Sequence, residues 1–114
     1  GHLARGLVES KGKYCDKENL RKQLEAVKNN WPELKEKIRK QIIPFDEVHD
    51  CLKRVRAPYE PEMIGVTKER LRSTFRCIPF MRNRFTGIDL IYRCGLMNEV
   101  EEHLFGKGGK WEVK

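Results

Sequence analysis

The sequence predicts an all-α fold, a bundle-like domain of five to seven helices with one long, kinked helix among them. Three observations carry that expectation. Apolar residues recur at helical spacing in segment after segment, no segment shows sustained strand alternation, and no internal repeat is visible.

Taken in order, Leu3, Leu7 and Val8 form a helical stripe in GHLARGLVES, which the KGKYC break then ends. Asp16 is placed to cap the next helix, because its carboxylate can accept from the amides of the first turn. The apolar positions that follow are Leu20, Leu24, Val27, Trp31, Leu34, Ile38 and Ile42, one continuous helical seam. Pro32 falls inside it and removes a backbone donor, yet the phase survives. The seam therefore predicts one helix kinked near residues 28–32. The competing reading has two helices, with Asn30 as a new N-cap and Glu33 closing a capping box.

Ile43-Pro44 ends this segment. Asp46–Val55 reads as a short helix with Val48, Leu52 and Val55 inward. APYEPEMIG is a proline-punctuated connection with room for one helical turn after Pro61. Thr67 caps a helix whose seam is Leu71, Phe75, Ile78 and Phe85, and Pro79 is expected to kink or end it. Thr86 caps another with Ile88, Ile91 and Tyr92, closed by Gly95 in a left-handed conformation. Asn98 is the expected cap of a last helix carrying Val100 and Leu104. Residues 1–105 make the expected domain. Residues 106–114, GKGGKWEVK, read as a flexible tail.

The totals restrict the function classes. A chain of 114 residues suffices for one domain with a small core. With 24 Lys and Arg against 17 Asp and Glu, the net charge is +7. A basic balance raises nucleic acid as a partner. Its distribution argues against that: residues 1–57 hold 14 basic and 9 acidic residues, and residues 58–114 hold 10 and 8. Interspersed signs describe a solvated helical surface. Cys15, Cys51, Cys77 and Cys94 form no CxxC pair and read as reduced thiols, with Cys77 and Cys94 buried as small hydrophobes. No apolar run approaches the ~18 residues of a membrane span, and no targeting segment is visible. A cytoplasmic protein is the expectation.

The residues assemble no recognisable active site. His2, His49 and His103 are not at ligand spacing, and no HExxH occurs. Each histidine reads as solvated or at a rim. The GKGG run lacks the preceding strand and following helix of a phosphate loop. No catalytic, cofactor-binding or metal-ligating residue is assigned.

The order of features across residues 1–105 nevertheless resembles the C-terminal helical domain of the sn-glycerol-1-phosphate dehydrogenases, in the iron-containing alcohol dehydrogenase superfamily. The matching pieces are the helix end GHLARGLVESKGKY, the tryptophan-marked NNWPELKEKIRKQIIP, the link and helix start APYEPEMIGVTKERLRSTF, and the ending RNRFTGIDLIYRCGLMNEV. That ending is similar to the family's R-x-R-(Y/F)-T-x-x-(D/R)-L-x-x-x-x-G-L-x-x-E. Phe45, Pro79 and Gly87 depart from the family's pattern.

The resemblance implies a two-domain parent that reduces dihydroxyacetone phosphate, a step of phospholipid biosynthesis. An N-terminal domain would bind NAD(H) or NADP(H), and a divalent metal (Zn, Ni or Fe) would polarise the carbonyl. The family's metal ligands, an aspartate and two histidines, lie upstream of the matching segment, and His2 does not fit their motif. The chain is then a fragment, inactive alone, with the nucleotide-binding domain as partner and a homodimer as a further possibility. The alternative is a free-standing basic helical module that binds nucleic acid or a protein.

Within FMRNRFTGIDLIYRCGL, Arg82 and Arg84 end one helix near its carbonyls. Thr86 begins the next, Asp89 reaches back to it as in a capping box, and Asp89 and Arg93 stand at i, i+4 to pair.

Overall fold

The computed structural model describes residues 2–113, and these contain helices and turns but no strand. Six α-helices follow in order: α1 (His2–Lys11), α2 (Lys17–Gln41), α3 (Phe45–Arg54), α4 (Lys68–Phe75), α5 (Gly87–Arg93) and α6 (Met97–Phe105). Single 3₁₀ turns occupy Pro61–Ile64 and Ile78–Phe80. The all-α class is as the sequence predicts, with one helix of 25 residues.

Local chemistry sets most of the boundaries. Asp16 caps α2, its Oδ1 accepting from the Asn19 amide at 2.8 Å. The helix runs through Pro32 without ending. Asn30 is an interior residue whose Nδ2 donates to the Ala26 carbonyl at 2.8 Å, so it begins no new helix. Thr67 caps α4 by accepting from the Arg70 amide at 3.2 Å. Pro79 is buried in the second 3₁₀ turn, and α4 stops four residues before it. Proline disfavours helical backbone in the residue before it, so the chain tightens into a turn there. Gly65 and Gly95 take φ of 75° and 73°, closing the first 3₁₀ turn and α5 in the left-handed region.

The core is small and lies at the C-terminal end of the chain. Phe75, Met97 and Phe105 are buried, and Phe105 is only 1% exposed. Leu71, Ile88, Ile91, Val100 and Leu104 pack around them. The Phe75 and Phe105 rings meet edge-on at 5.8 Å. Glu101 clamps α6 to α4: its Oε1 accepts from Arg72 Nε at 2.9 Å, and its Oε2 lies 2.5 Å from Arg76 Nε.

The sequence predicts a tail over residues 106–114; Lys114 lies outside the described residues. Residues 106–113 fold back over the end of α6, where the Trp111 amide donates to the Leu104 carbonyl (2.9 Å) and the Val113 amide to the Phe105 carbonyl (3.0 Å). Trp111 packs against both Phe45 and Phe105, and Lys110 Nζ reaches Asp46 Oδ1 at 2.5 Å. The glycines serve this closure. Gly108 takes φ of 79°, and a Cβ at Gly109 would stand 2.5 Å from the Leu104 carbonyl oxygen. An apolar tryptophan close behind a glycine run outweighs the looseness of the run itself.

Other expectations also fail on packing. In α3, Leu52 is half-buried as expected, whereas Val48 and Val55 are exposed; the tertiary contacts are made instead by Phe45, itself 41% exposed, against Trp111, and by His49 against Phe45 and Tyr59. Leu96, not Asn98, occupies the N-cap of α6, and Asn98 Oδ1 instead accepts from Arg76 Nη2 at 2.7 Å. Ile78 and Phe85 are exposed, Cys77 is exposed, and Cys94 is half-buried. Leu7 and Val8 on α1 are exposed, and the side chain of Leu3 lies outside the described residues.

The chain is open for its length. It exposes 9,600 Å², where a folded monomer of 13.5 kDa exposes about 6,500 Å². Its radius of gyration is 16.4 Å, against about 13 Å for a compact domain of this length. Neither α2 nor α3 buries a single residue.

Candidate functional site

The most enclosed polar cluster joins the α1–α2 loop to α5, over the stretch Phe80–Leu96. Asp89 sits at the third position of α5, and its Oδ2 accepts from the Thr86 amide and hydroxyl, both at 2.8 Å. Its other oxygen receives Lys13 Nζ at 2.6 Å, and both side chains are about nine-tenths enclosed. Lys13 Nζ also donates to the Pro79 carbonyl. Burial opposes ionisation of Asp89. The Lys13 ammonium and the two Thr86 donors outweigh that penalty and hold its carboxyl below the ordinary 3.8.

Arg93, one turn further along α5, does not pair with Asp89. Its guanidinium donates to the Lys13 carbonyl at 2.7 Å and to Gln23 of α2, and stands 4.7 Å from the centre of the Phe85 ring. Arg82 and Arg84 are exposed. Among the described residues neither forms a hydrogen bond or ion pair, so the carbonyl contacts expected of these two arginines are not made, and it is Arg93 that makes the arginine–carbonyl bond at this corner. What fixes the segment instead is the Asn83 amide, which donates to Glu9 Oε2 at 3.1 Å. The capping role of Asp89 was legible from its spacing to Thr86. Lys13 was not, since its partner lies 76 residues away and the KGKYC break carries no local signal of a buried cation.

Beside this cluster lies a cavity of about 490 Å³, walled by Tyr14, Cys15, Leu20, Phe80 and Tyr92, with the Lys13–Asp89 pair at one side. Its walls are mostly apolar. Phe80 and Tyr92 meet edge-on at 5.6 Å. The chemistry available there is limited. Lys13 is held by two acceptors, Asp89 is ionised and fully bonded, and the Cys15 thiol faces the Asp16 carbonyl at 3.6 Å rather than a base. No nucleophile–base pair results.

A second cluster centres on His49. Its Nε2 lies 3.0 Å from Glu60 Oε1, Phe45 stacks on the ring at 5.5 Å, and Tyr59 meets it edge-on at 5.0 Å. His49 is therefore the half-buried hinge of an aromatic group that ties α3 to the link before α4.

The residues present do not fit a metal or a dinucleotide. Among the described residues no three His, Cys, Asp or Glu side chains gather to hold an ion. The glycine run closes the end of α6 and opens no helix that could take a pyrophosphate. No helix among the described residues is long and apolar enough to cross a membrane. Comparisons with protein families, with curated proteins and with solved structures return no match.

Proposed function

We propose that this chain is the C-terminal helical part of a metal- and NAD(P)-dependent sn-glycerol-1-phosphate dehydrogenase, a scaffold for the dihydroxyacetone phosphate reductase and not active alone. The observation that carries the reading is the ordered run RNRFTGIDLIYRCGLMNEV behind the Pro-rich link and the Trp-marked long helix. Two physical features support it. The Lys13–Asp89 cluster is bonded internally, and no nucleophile–base pair stands beside it. The surface excess, and two helices (α2 and α3) that bury no residue, are what a domain shows when the domain that covers it is missing. In the parent, cofactor and metal would be held by residues upstream of this segment, and this part would hold the upstream helices in place.

The gene tests the proposal. Its reading frame is expected to extend upstream of Gly1 by roughly 200–250 codons, the size of a nucleotide domain with metal-bearing helices. A start codon immediately before Gly1 contradicts it. The isolated chain is expected to show no oxidation of glycerol 1-phosphate with NAD(P) and added zinc, nickel or iron. Turnover by the chain alone would place the site here.

A further inference from the structure

The cavity of about 490 Å³ beside the Lys13–Asp89 pair takes no part in the dehydrogenase reading. It has the size of a small-molecule site, which runs from about 300 to 1,000 Å³. Three aromatic rings line it, and each keeps much of its surface in water: Tyr14 is 83%, Tyr92 52% and Phe80 43% exposed. Leu20 of α2 and Pro79 add to the apolar wall. Rings left uncovered around a concave wall are surface that a guest with an apolar body removes from water.

The charged groups in the lining are unequal. Three cations, Lys11, Lys13 and Arg93, stand against one carboxylate, Asp89. Lys13 and Asp89 neutralise each other at 2.6 Å. Lys11 is exposed and Arg93 half-buried, and neither makes an ion pair among the described residues. Arg93 decides the chemistry. A guanidinium carries five N–H donors. The Lys13 carbonyl and Gln23 Oε1 take two of them, and the Phe85 ring lies 4.7 Å away. All of these partners are neutral. A half-buried cation held only by neutral groups has its charge unmet. Arg93 also lines the adjoining polar cavity, but the carboxylate there, Asp16, is engaged by the Asn19 amide and side chain in capping α2.

We infer that the apolar cavity binds a small monocarboxylate with a ring-bearing apolar body. The carboxylate meets the open donors of Arg93, and the body covers Tyr14, Leu20, Phe80 and Tyr92. A planar carboxylate matches the guanidinium fork, so the pair has geometric specificity as well as charge. Phosphate would leave the rings uncovered. A neutral guest would leave the charge unmet, and a cation would add to it. The inference rests on the lining of this cavity and stands apart from the dehydrogenase reading.

Three probes that share one ring system test it: 2-naphthoate, 2-naphthamide and 2-naphthylmethylammonium. Calorimetric titrations of the chain at about 0.1 M salt are expected to give naphthoate a Kd below about 0.3 mM. It should bind at least about tenfold more tightly than the amide or the cation. Inorganic phosphate at matched ionic strength should not displace it. Arg93→Gln should bring the three probes within about threefold of one another. Leu20→Trp leaves the bonds of Arg93 alone and fills the cavity from a half-buried position of α2, so it should abolish naphthoate binding with the thermal melt in place. Equal binding of the three probes, no binding of naphthoate, its displacement by phosphate, or undiminished binding in Leu20→Trp would each overturn the inference.

Discussion

Asp89 and Lys13 show what decides the fold at the scale of single residues. Each is enclosed, and each is tolerable only because the other is present. Lys13→Met leaves an enclosed carboxylate without its cation and is expected to lower stability by about 3 kcal/mol in a denaturant titration. Arg84→Ala removes an exposed side chain with no partner among the described residues and should stay within about 0.5 kcal/mol of the parent. The two substitutions thus separate the arginines that mark this corner in the sequence from the lysine that holds it. The same chemistry gives a pH dependence. Burial pushes the carboxyl of Asp89 up, but Lys13 and Thr86 together hold it below the ordinary 3.8; Arg72, against burial and with Arg76, holds Glu101 below the ordinary 4.5. A carboxyl depressed in the folded state adds stability that is complete above its unfolded value and lost as pH falls through the folded one. Melting temperature should therefore hold from neutral pH down to about 4.5 and fall below it. K13M should flatten the part of that fall that belongs to Asp89.

At the scale of elements, the caps were readable and the packing was not. Asp16, Thr67, Thr86 and Gly95 act within one turn of themselves, so each betrays its role in the sequence. The continuous phase from Leu20 to Ile42 likewise foretold that Pro32 would not divide the long helix. The packing of Phe45 in α3 and the closure of residues 106–113 depend on Trp111 meeting Phe45 and Phe105, a contact between distant parts of the chain that periodicity cannot report. The Lys13–Asp89 pair was hidden for the same reason. Gly109 is the sharpest test at this scale. A Cβ there meets the Leu104 carbonyl, so Gly109→Ala must push the closing segment off α6. It is expected to cost about 1–3 kcal/mol and to red-shift the Trp111 emission as the ring leaves the core. An unchanged spectrum and melt would mean that the segment is not held by this contact.

At the scale of the whole molecule, the chain divides into a packed end and a bare one. The core formed by α4, α5, α6 and the closing segment rests on few side chains, and Phe105→Ala is expected to remove about 3–5 kcal/mol, most of what so small a core can supply. The helix α2 touches the rest of the chain near its start, where Gln23 accepts from Arg93 and Leu20 walls the cavity; beyond that it has its own hydrogen bonds and exposed ion pairs, each worth a few tenths of a kcal/mol. Its apolar seam, from Leu20 to Ile42, holds no fully buried residue. This contrast is the central claim, and amide hydrogen exchange of the isolated chain tests it most directly. The amides of α4 to α6 should be protected to the limit of global unfolding, while those of α2 beyond its first turns exchange nearly as fast as in a free helical peptide. Protection of α2 equal to that of α6 would contradict it, because the seam would then already be covered within the chain.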